Sequence, residues 1–528
     1  MTTPGAGDER RRVGRPAVTG ARLVRNTFVN ALGIGSGMVI TIVLTPFMLD
    51  RLGASMFGVW ALALTLTISA GYLTLTDLGL QQAAVRFMAD ARRKGDDDAI
   101  AGIFSATLFI FVGIAVPVGA LLVAASPAIA GLFSLHGAER HAAVVSFAIV
   151  GGQIVFDLPS LAFRSVLESD QRFVAIRAIE LTRAIVFAGL TVAVLLSGRG
   201  VVAVAASSAV ASAAALAGYV VVVLTSEPAA KIRSAAIGRT QFRALFQFSG
   251  ALFLLRILSV VYRQMDKVII GVVLSVTAVA TYEVANRIQA ALILTTSFAG
   301  GALLPAAALS RLDKGRMRDL FLRATSYSVA LFLPLAIAVF IYARLLIVAW
   351  VGTSQIGATG ATRLFALWIG LGTLDAAGST MLVASGRLKP IVILSALWVS
   401  ANLVLSLVLV HVWGIAGVVA GTVISYTPLL VAYTTLCLKE YEIKLSDWAR
   451  RVVRPNLLGA AVQVVLCFAT LHQIERLPPR IGVLLGGAAG TAVSLSIYFF
   501  VGIPPEERNY LRRVMSGAAA RTAPDSQA

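Results

Sequence analysis

Residues 254–275 read "LLRILSVVYRQMDKVIIGVVLS". The stretch is long and apolar enough to cross a bilayer, yet it carries Arg256, Arg263, Asp266 and Lys267. At about 100° per residue, Arg263 falls roughly 20° to one side of Arg256 and Lys267 roughly 20° to the other. Three cations therefore share one narrow face, with Asp266 about 80° away. A charge at the bilayer centre costs roughly 2.5–3.5 kcal/mol. Such a face demands a wet cavity or paired anions. The plainer alternative has Arg256 and Lys267 reaching the two interfaces while Arg263 pairs with Asp266.

The surrounding chain settles the class. Of 528 residues, 58% are hydrophobic and only 13% charged, against about 25% charged in a soluble domain. This predicts an all-α polytopic membrane protein. Apolar runs long enough to span occur near 27–49, 56–82, 102–125, 142–165, 174–197, 200–224, 247–274, 279–308, 325–350, 361–385, 390–411, 414–438, 456–473 and 481–503, about fourteen in all. Residues 1–22 and 504–528 read as polar, basic tails, the first one disordered. The tail at 1–22 lacks the apolar stretch of a signal peptide.

The net charge of +19 is a matter of topology. With the N-terminus inside, the inner segments hold 33 of the 45 lysines and arginines and the outer loops only 6. This asymmetry predicts cytoplasmic termini and an even number of spans. It points to anionic lipid and away from nucleic acid. Cys437 and Cys467 lie in apolar runs, and the four histidines are scattered. No disulfide, metal site or cofactor is expected.

The chain also resembles itself. "GVVAVAASSAVASAAALAGYVVV" from Gly200 matches "GIAGVVAGTVISYTPLLVAYTTL" from Gly414, bringing Tyr219 onto Tyr433. "ESDQRFVAI" at 168–176 matches "VASGRLKPI" at 383–391, and "LGASMFGVWAL" at 52–62 matches "LSVTAVATYEV" at 274–284. The nearly equal offsets predict two parallel six-helix lobes, at 23–225 and 247–438, joined by a linker at 226–246, with two further helices at 439–503. Parallel repeats around a central site are a transporter design.

Other charged groups within the spans extend the candidate site. Arg287 in the eighth span is placed to face Arg263 across a cavity. Asp157 and Asp375 fall within about a turn of each other in the two repeats. They read as acids that pair with the cation face, carry a proton, or make a helix–helix hydrogen bond. Arg183 is three residues from Glu180, a spacing that suits an ion pair. Asp77 reads as a gate or loop contact to Arg86 or Arg92. The expected site is therefore Arg256, Arg263, Lys267 and Arg287 for substrate, Asp157, Asp375, Asp266 and Arg183 for the cavity or coupling, and Asp77 for a gate. No catalytic residue is assigned.

Several stretches together resemble the polysaccharide-transport branch of the multidrug/oligosaccharidyl-lipid/polysaccharide exporter superfamily. They are "NTFVNALGIGSG" and "MLDRLGASMFGVWAL" around the first span, "LTDLGLQQAAVRFMA" ending the second, and "YRQMDKVIIGVVLSVTAVATYEVANRI" across the seventh and eighth. "SGRLKP" and "GIAGVVAGTVIS" follow in order. Where many members have Gly-x-Tyr, this chain has Ala280-Thr281-Tyr282. The resemblance implies a flippase in the bacterial inner membrane. Its cargo would be an oligosaccharide carried on a polyprenyl diphosphate, and its partners membrane lipids, a polysaccharide polymerase and export proteins. A cation-coupled multidrug antiporter is the alternative within the same superfamily. A glycan polymerase or glycosyltransferase would need a catalytic acid or base and a long outer loop, neither of which the sequence shows, so no enzyme is expected.

Overall fold

The computed structural model describes residues 20–503, apart from 70, 231, 233–249, 311–312 and 386–387, together with residue 508. The remainder of both expected tails, most of the linker 226–246, and Arg387 lie outside the described residues. Every regular element among the described residues is helical. The helices are α1 (Gly20–Ala63), α2 (Leu80–Lys94), α3 (Asp97–Gly131), α4 (Gly137–Gly152), α5 (Ile154–Ser169), α6 (Phe173–Leu196), α7 (Val201–Ser226) and α8 (Gly250–Val273). After these come α9 (Val276–Ser310), α10 (Lys314–Val351), α11 (Thr359–Gly372), α12 (Ala376–Ala384), α13 (Leu388–Glu440), α14 (Leu445–Trp448), α15 (Arg454–Glu475) and α16 (Pro479–Ile497). Helix α1 begins at Gly20, so the last three residues of the expected tail 1–22 are helical. Ala21, Arg22 and Leu23 are good helix formers and extend the helix backward from the apolar run.

Among the described residues, nine helices are long and apolar enough to cross a membrane, ten if a bent pair around 373–376 counts as one. The expected number was about fourteen. Part of the difference is arithmetic. Helix α13 spans 53 residues but turns at Gly414, whose φ of 56° no helix allows. Asn402 donates to Thr422 and Ser406 to the carbonyl of Val418, so the two arms of α13 run antiparallel. Gly53, with φ 74°, divides α1 in the same manner. Helix α8, which holds the opening stretch, is not among the nine, for it carries Arg256, Arg263, Asp266 and Lys267.

The expected continuous span 56–82 is broken. Helix α1 ends at Ala63, two tight turns follow at Leu64–Leu66 and Tyr72–Asp77, and α2 resumes only at Leu80. The local sequence explains it. Thr65, Thr67, Thr74 and Thr76 each donate to a nearby backbone carbonyl, competing with the helical ladder. Leu78 and Gly79 then adopt positive φ values of 51° and 75°. Irregular backbone at membrane depth is tolerated where protein or water covers it. The expected span 361–385 is bent as well, near Thr373, whereas 142–165 lies within one membrane-length stretch, Gly137–Ser169, with a single turn residue at Gln153.

The core has a distinct layout. At one end of the bundle, which bears residues 131–137, 196–201, 273–276 and Gly414, one apolar core draws on both halves of the chain. It joins Met48, Phe57, Phe133 and Phe147 to Ile270, Val276, Ile347 and Val418. We call this the far end. Toward the opposite, near end the core divides. One part uses only residues 68–230, among them Phe104, Phe111 and Phe163. The other uses only residues 317–452, among them Phe321, Met381 and Tyr441. Helix α16 packs against α10 and α15 through Gly482, Gly486 and Gly490. A Cβ on Gly486 would lie 2.6 Å from the Tyr342 ring, and one on Gly490 2.7 Å from Cys467 Sγ. Small residues four apart allow this close helix approach.

Candidate functional site

The cation face of α8 lies along the seam between the repeats, and its three members have separate fates. Lys267, at the far end, donates to Glu283 of α9 at 2.9 Å. Arg287, one turn further along α9, donates to the same carboxylate at 3.1 Å. Arg287 also reaches across to α1, where it donates to Thr45 Oγ1 and, at 3.4 Å, to the Thr41 carbonyl. Its guanidinium lies 5.2 Å from the centre of the Phe57 ring. All three charged groups are buried. They are pinned where the seam is tightest. A Cβ on Gly58 would fall 2.0 Å from the Val276 carbonyl oxygen, and Trp350 donates across the seam to the Ile42 carbonyl at 2.9 Å.

Arg256, at the other end of the face, donates to Asp77 at 2.5 Å. Asp77 is fully buried, whereas the Arg256 side chain is 27% exposed. The aspartate also accepts from the backbone N–H of Gln81 at 2.9 Å and so caps the start of α2. Arg263 lies between Arg256 and Lys267 on the same face. It is exposed, and it donates to Ser259 at 2.9 Å.

Arg183 of α6 completes the group from the first repeat. It contacts Asp157 at 3.2 Å and donates to Ser212 at 2.8 Å and to Ser69 in the broken segment at 3.3 Å. Gln153 bridges Asp157 and Ser212 and accepts from Ser208. The Arg183 side chain is 29% exposed. The broken segment is thus held by an arginine from each repeat, Arg183 at Ser69 and Arg256 at Asp77.

These placements correct the expected site at several points. Lys267 and Arg287 do not join Arg263 in an open wall, because Glu283 holds both. Arg287 faces α1, not Arg263. Asp77 pairs with Arg256; Arg92 instead binds Glu227 at 2.8 Å. Glu180 does not pair with Arg183, since Arg164 and Arg177 take it. Asp157 pairs with Arg183 and not with the α8 face. Arg263 does not pair with Asp266. Asp266 accepts from Tyr282 at 3.0 Å and Asp375 from Tyr426 at 3.5 Å.

Sequence reasoning missed two features. Tyr262, Trp368, Trp398 and Tyr426 form one aromatic cluster inside the second repeat, with ring centres 4.4–6.0 Å apart. An apolar cavity of about 380 Å³ opens between α10, α11 and α15, lined by Leu333, Phe340, Leu371, Leu457 and Phe468, with Asn456 at its polar margin. Neither leaves a motif, because each draws on helices distant in sequence. Cys437 and Cys467 are free and buried, and no metal-binding cluster occurs among the described residues.

Helices of membrane length, with one apolar core continuous at one end of the bundle and divided at the other, are those of a multi-pass membrane protein. The chain belongs to the family described as polysaccharide biosynthesis protein (Polysacc_synt_3), which matches residues 51–359. The match accords with the resemblance to the polysaccharide-transport branch of the exporter superfamily. Among solved structures it is similar to the lipid II flippase MurJ in an inward closed conformation. That likeness has 12% identity and a TM-score of 0.70, over 90% of this chain and 98% of that one. It is also similar to an inward-facing multidrug resistance MATE family transporter of the MOP superfamily, at 14% identity and TM-score 0.63, over 79% and 94% of the two chains. An outward-facing transporter of that family gives 14% and 0.55, over 80% and 95%. No curated protein matches the sequence. At these identities the structural likeness carries the fold.

Proposed function

We propose that the protein flips an oligosaccharide carried on a polyprenyl diphosphate across the bacterial inner membrane, by alternating access. The near end faces the cytoplasm with both termini. The lobes at 23–225 and 247–438 rock about the linker 226–246, and the helices of 439–503 ride with the second lobe. The observation that carries the proposal is the group of Arg256, Arg263 and Arg183. All three are partly exposed in a seam whose shared apolar core, among the described residues, lies at the far end. Guanidinium groups bind phosphate oxygens bidentately.

The other two cations then have a later role. Arg256 and Arg263 are about 10 Å apart along α8, and Lys267 is about 6 Å further. The diphosphate meets the first two from the near side. Lys267 and Arg287 become available when the lobes part at the far end and loosen their hold on Glu283. The apolar cavity beside α15 suits the lipid tail, and a polymerase and export proteins take the glycan onward. A headgroup with about two negative charges gains about 2.3 kcal/mol per charge per 100 mV on moving outward. The membrane potential alone supplies roughly 4–5 kcal/mol, so the proposal includes neither ATP nor catalysis.

One observation favours a second reading, the cation-coupled antiporter. Asp266 and Asp375 are buried beside tyrosine hydroxyls, as a cation-binding lobe requires. Arg263→Ala separates the two. It abolishes glycan export at normal membrane level, and Arg263→Lys restores it only in part because the bidentate fork is lost. Normal export by Arg263→Ala, together with drug efflux lost in Asp375→Asn, would replace the flippase by the antiporter.

A further inference from the structure

Asp77 and Arg256 form a pair of unusual asymmetry. The carboxylate is fully buried and held by its own backbone, since it closes the Tyr72–Asp77 turn and caps α2. The guanidinium comes from the other repeat and keeps 27% of its side chain exposed. Arg256 can therefore turn toward the open seam while Asp77 cannot follow. On the same face of α8, one turn pair away, stands the exposed Arg263.

We propose that Asp77 is a built-in stand-in for the substrate's anionic head. It occupies Arg256 while the site is empty, and the arriving diphosphate displaces it. This deepens the flippase reading and rests on it. A phosphate carries more charge than a carboxylate and accepts the same fork of N–H groups, so it competes for Arg256 from the wet side. Once Arg256 has turned, Asp77 is a buried carboxylate without a cation, which protein interiors disfavour strongly. The strain falls on Leu78 and Gly79, the two residues of positive φ that join the broken segment to α2. Relief requires that segment to shift. Headgroup binding is thereby converted into release of the tie between the repeats, and an empty carrier stays tied.

The test uses the purified full-length chain in lipid nanodiscs, with a sugar-free polyprenyl diphosphate as probe. Asp77→Asn keeps the helix cap and removes the competing charge. It should bind the probe about tenfold more tightly, the scale of a modest charge-pair coupling, while glycan export in cells falls. Unchanged or weaker binding by Asp77→Asn would overturn the proposal. A second measurement needs no variant. Backbone amides of residues 71–79 in the unsubstituted chain should exchange faster with deuterium when the probe is added, and equal or slower exchange would overturn it too. Failure of the flippase reading looks different. The unsubstituted chain would then bind the probe no better than Arg263→Ala does, whatever Asp77→Asn shows.

Discussion

Arg287 and Arg256 both reach across the seam, and they are held on opposite plans. At the far end Lys267 and Arg287 share the single carboxylate of Glu283. The cluster has a surplus cation, all three members are buried, and the shared apolar core surrounds them. The surplus charge is met by the Thr45 hydroxyl, the Thr41 carbonyl and the face of Phe57. Nearer the middle, Asp77 and Arg256 are matched one to one, in irregular backbone, with the arginine partly in water. The difference teaches which contact can exchange partners. A cluster enclosed by packing opens only when the helices separate. A pair with one wet member can be traded for a ligand without moving a helix first.

The largest effect should come from breaking the enclosed cluster. Glu283→Gln leaves two cations buried together with no anion, and removing one partner of a buried pair costs about 3–5 kcal/mol. Thermal unfolding in detergent should show a clear loss of stability. A melting curve like that of the unsubstituted protein would mean that the cluster contributes nothing to closure. Packing comes next. Gly58→Val places a side chain where the Val276 carbonyl now sits, and overpacking of this kind costs about 1–3 kcal/mol. The far end should spend more time open. A cysteine at the buried Ala280 of a chain lacking Cys437 and Cys467 should then react faster with an impermeant thiol reagent, and unchanged labelling would count against a seal at this point.

The smallest effect lies away from the seam. Glu442, between α13 and α14, accepts from Lys314 at the start of α10. That hydrogen bond and the lysine's charge hold the Glu442 carboxyl below its ordinary range. The sign follows from linkage: a lowered carboxyl stabilises the fold above its ordinary range, and this is lost as pH falls through the lowered one. Both groups are exposed, so salt should screen the effect. Lys314→Ala should slightly flatten the acid limb of the stability profile at low salt and leave it unaltered at high salt.

The comparison also shows what a sequence can and cannot disclose about such a molecule. The helices were readable because apolar runs of membrane length admit little else, and Gly414 sat where two runs met. The face shared by Arg256, Arg263 and Lys267 was readable because helical angle depends only on spacing. Partners across helices were not. Asp77 is 179 residues from Arg256, and a helical wheel names a direction without saying what lies there. Local spacing even misled, since Glu180 is near Arg183 in sequence but bonded to Arg164 and Arg177. The break in the second span was marked by four threonines and two glycines in "TLTISAGYLTLTDLG", yet each alone is common in membrane helices.

The glycine row of α16 has a consequence for biosynthesis. A Cβ at Gly482, Gly486 or Gly490 would come within 2.9 Å of Ile474, Tyr342 or Cys467, so a larger residue there forces its neighbour to move. Yet α15 and α16 are made after the rest of the bundle that they pack against. Until they arrive, the matching flank of α10 must rest against lipid alone. Insertion of the final hairpin is then a docking event onto a finished surface, and a glycine substitution there would act as a late assembly defect, leaving a chain that is threaded through the membrane but incompletely clad.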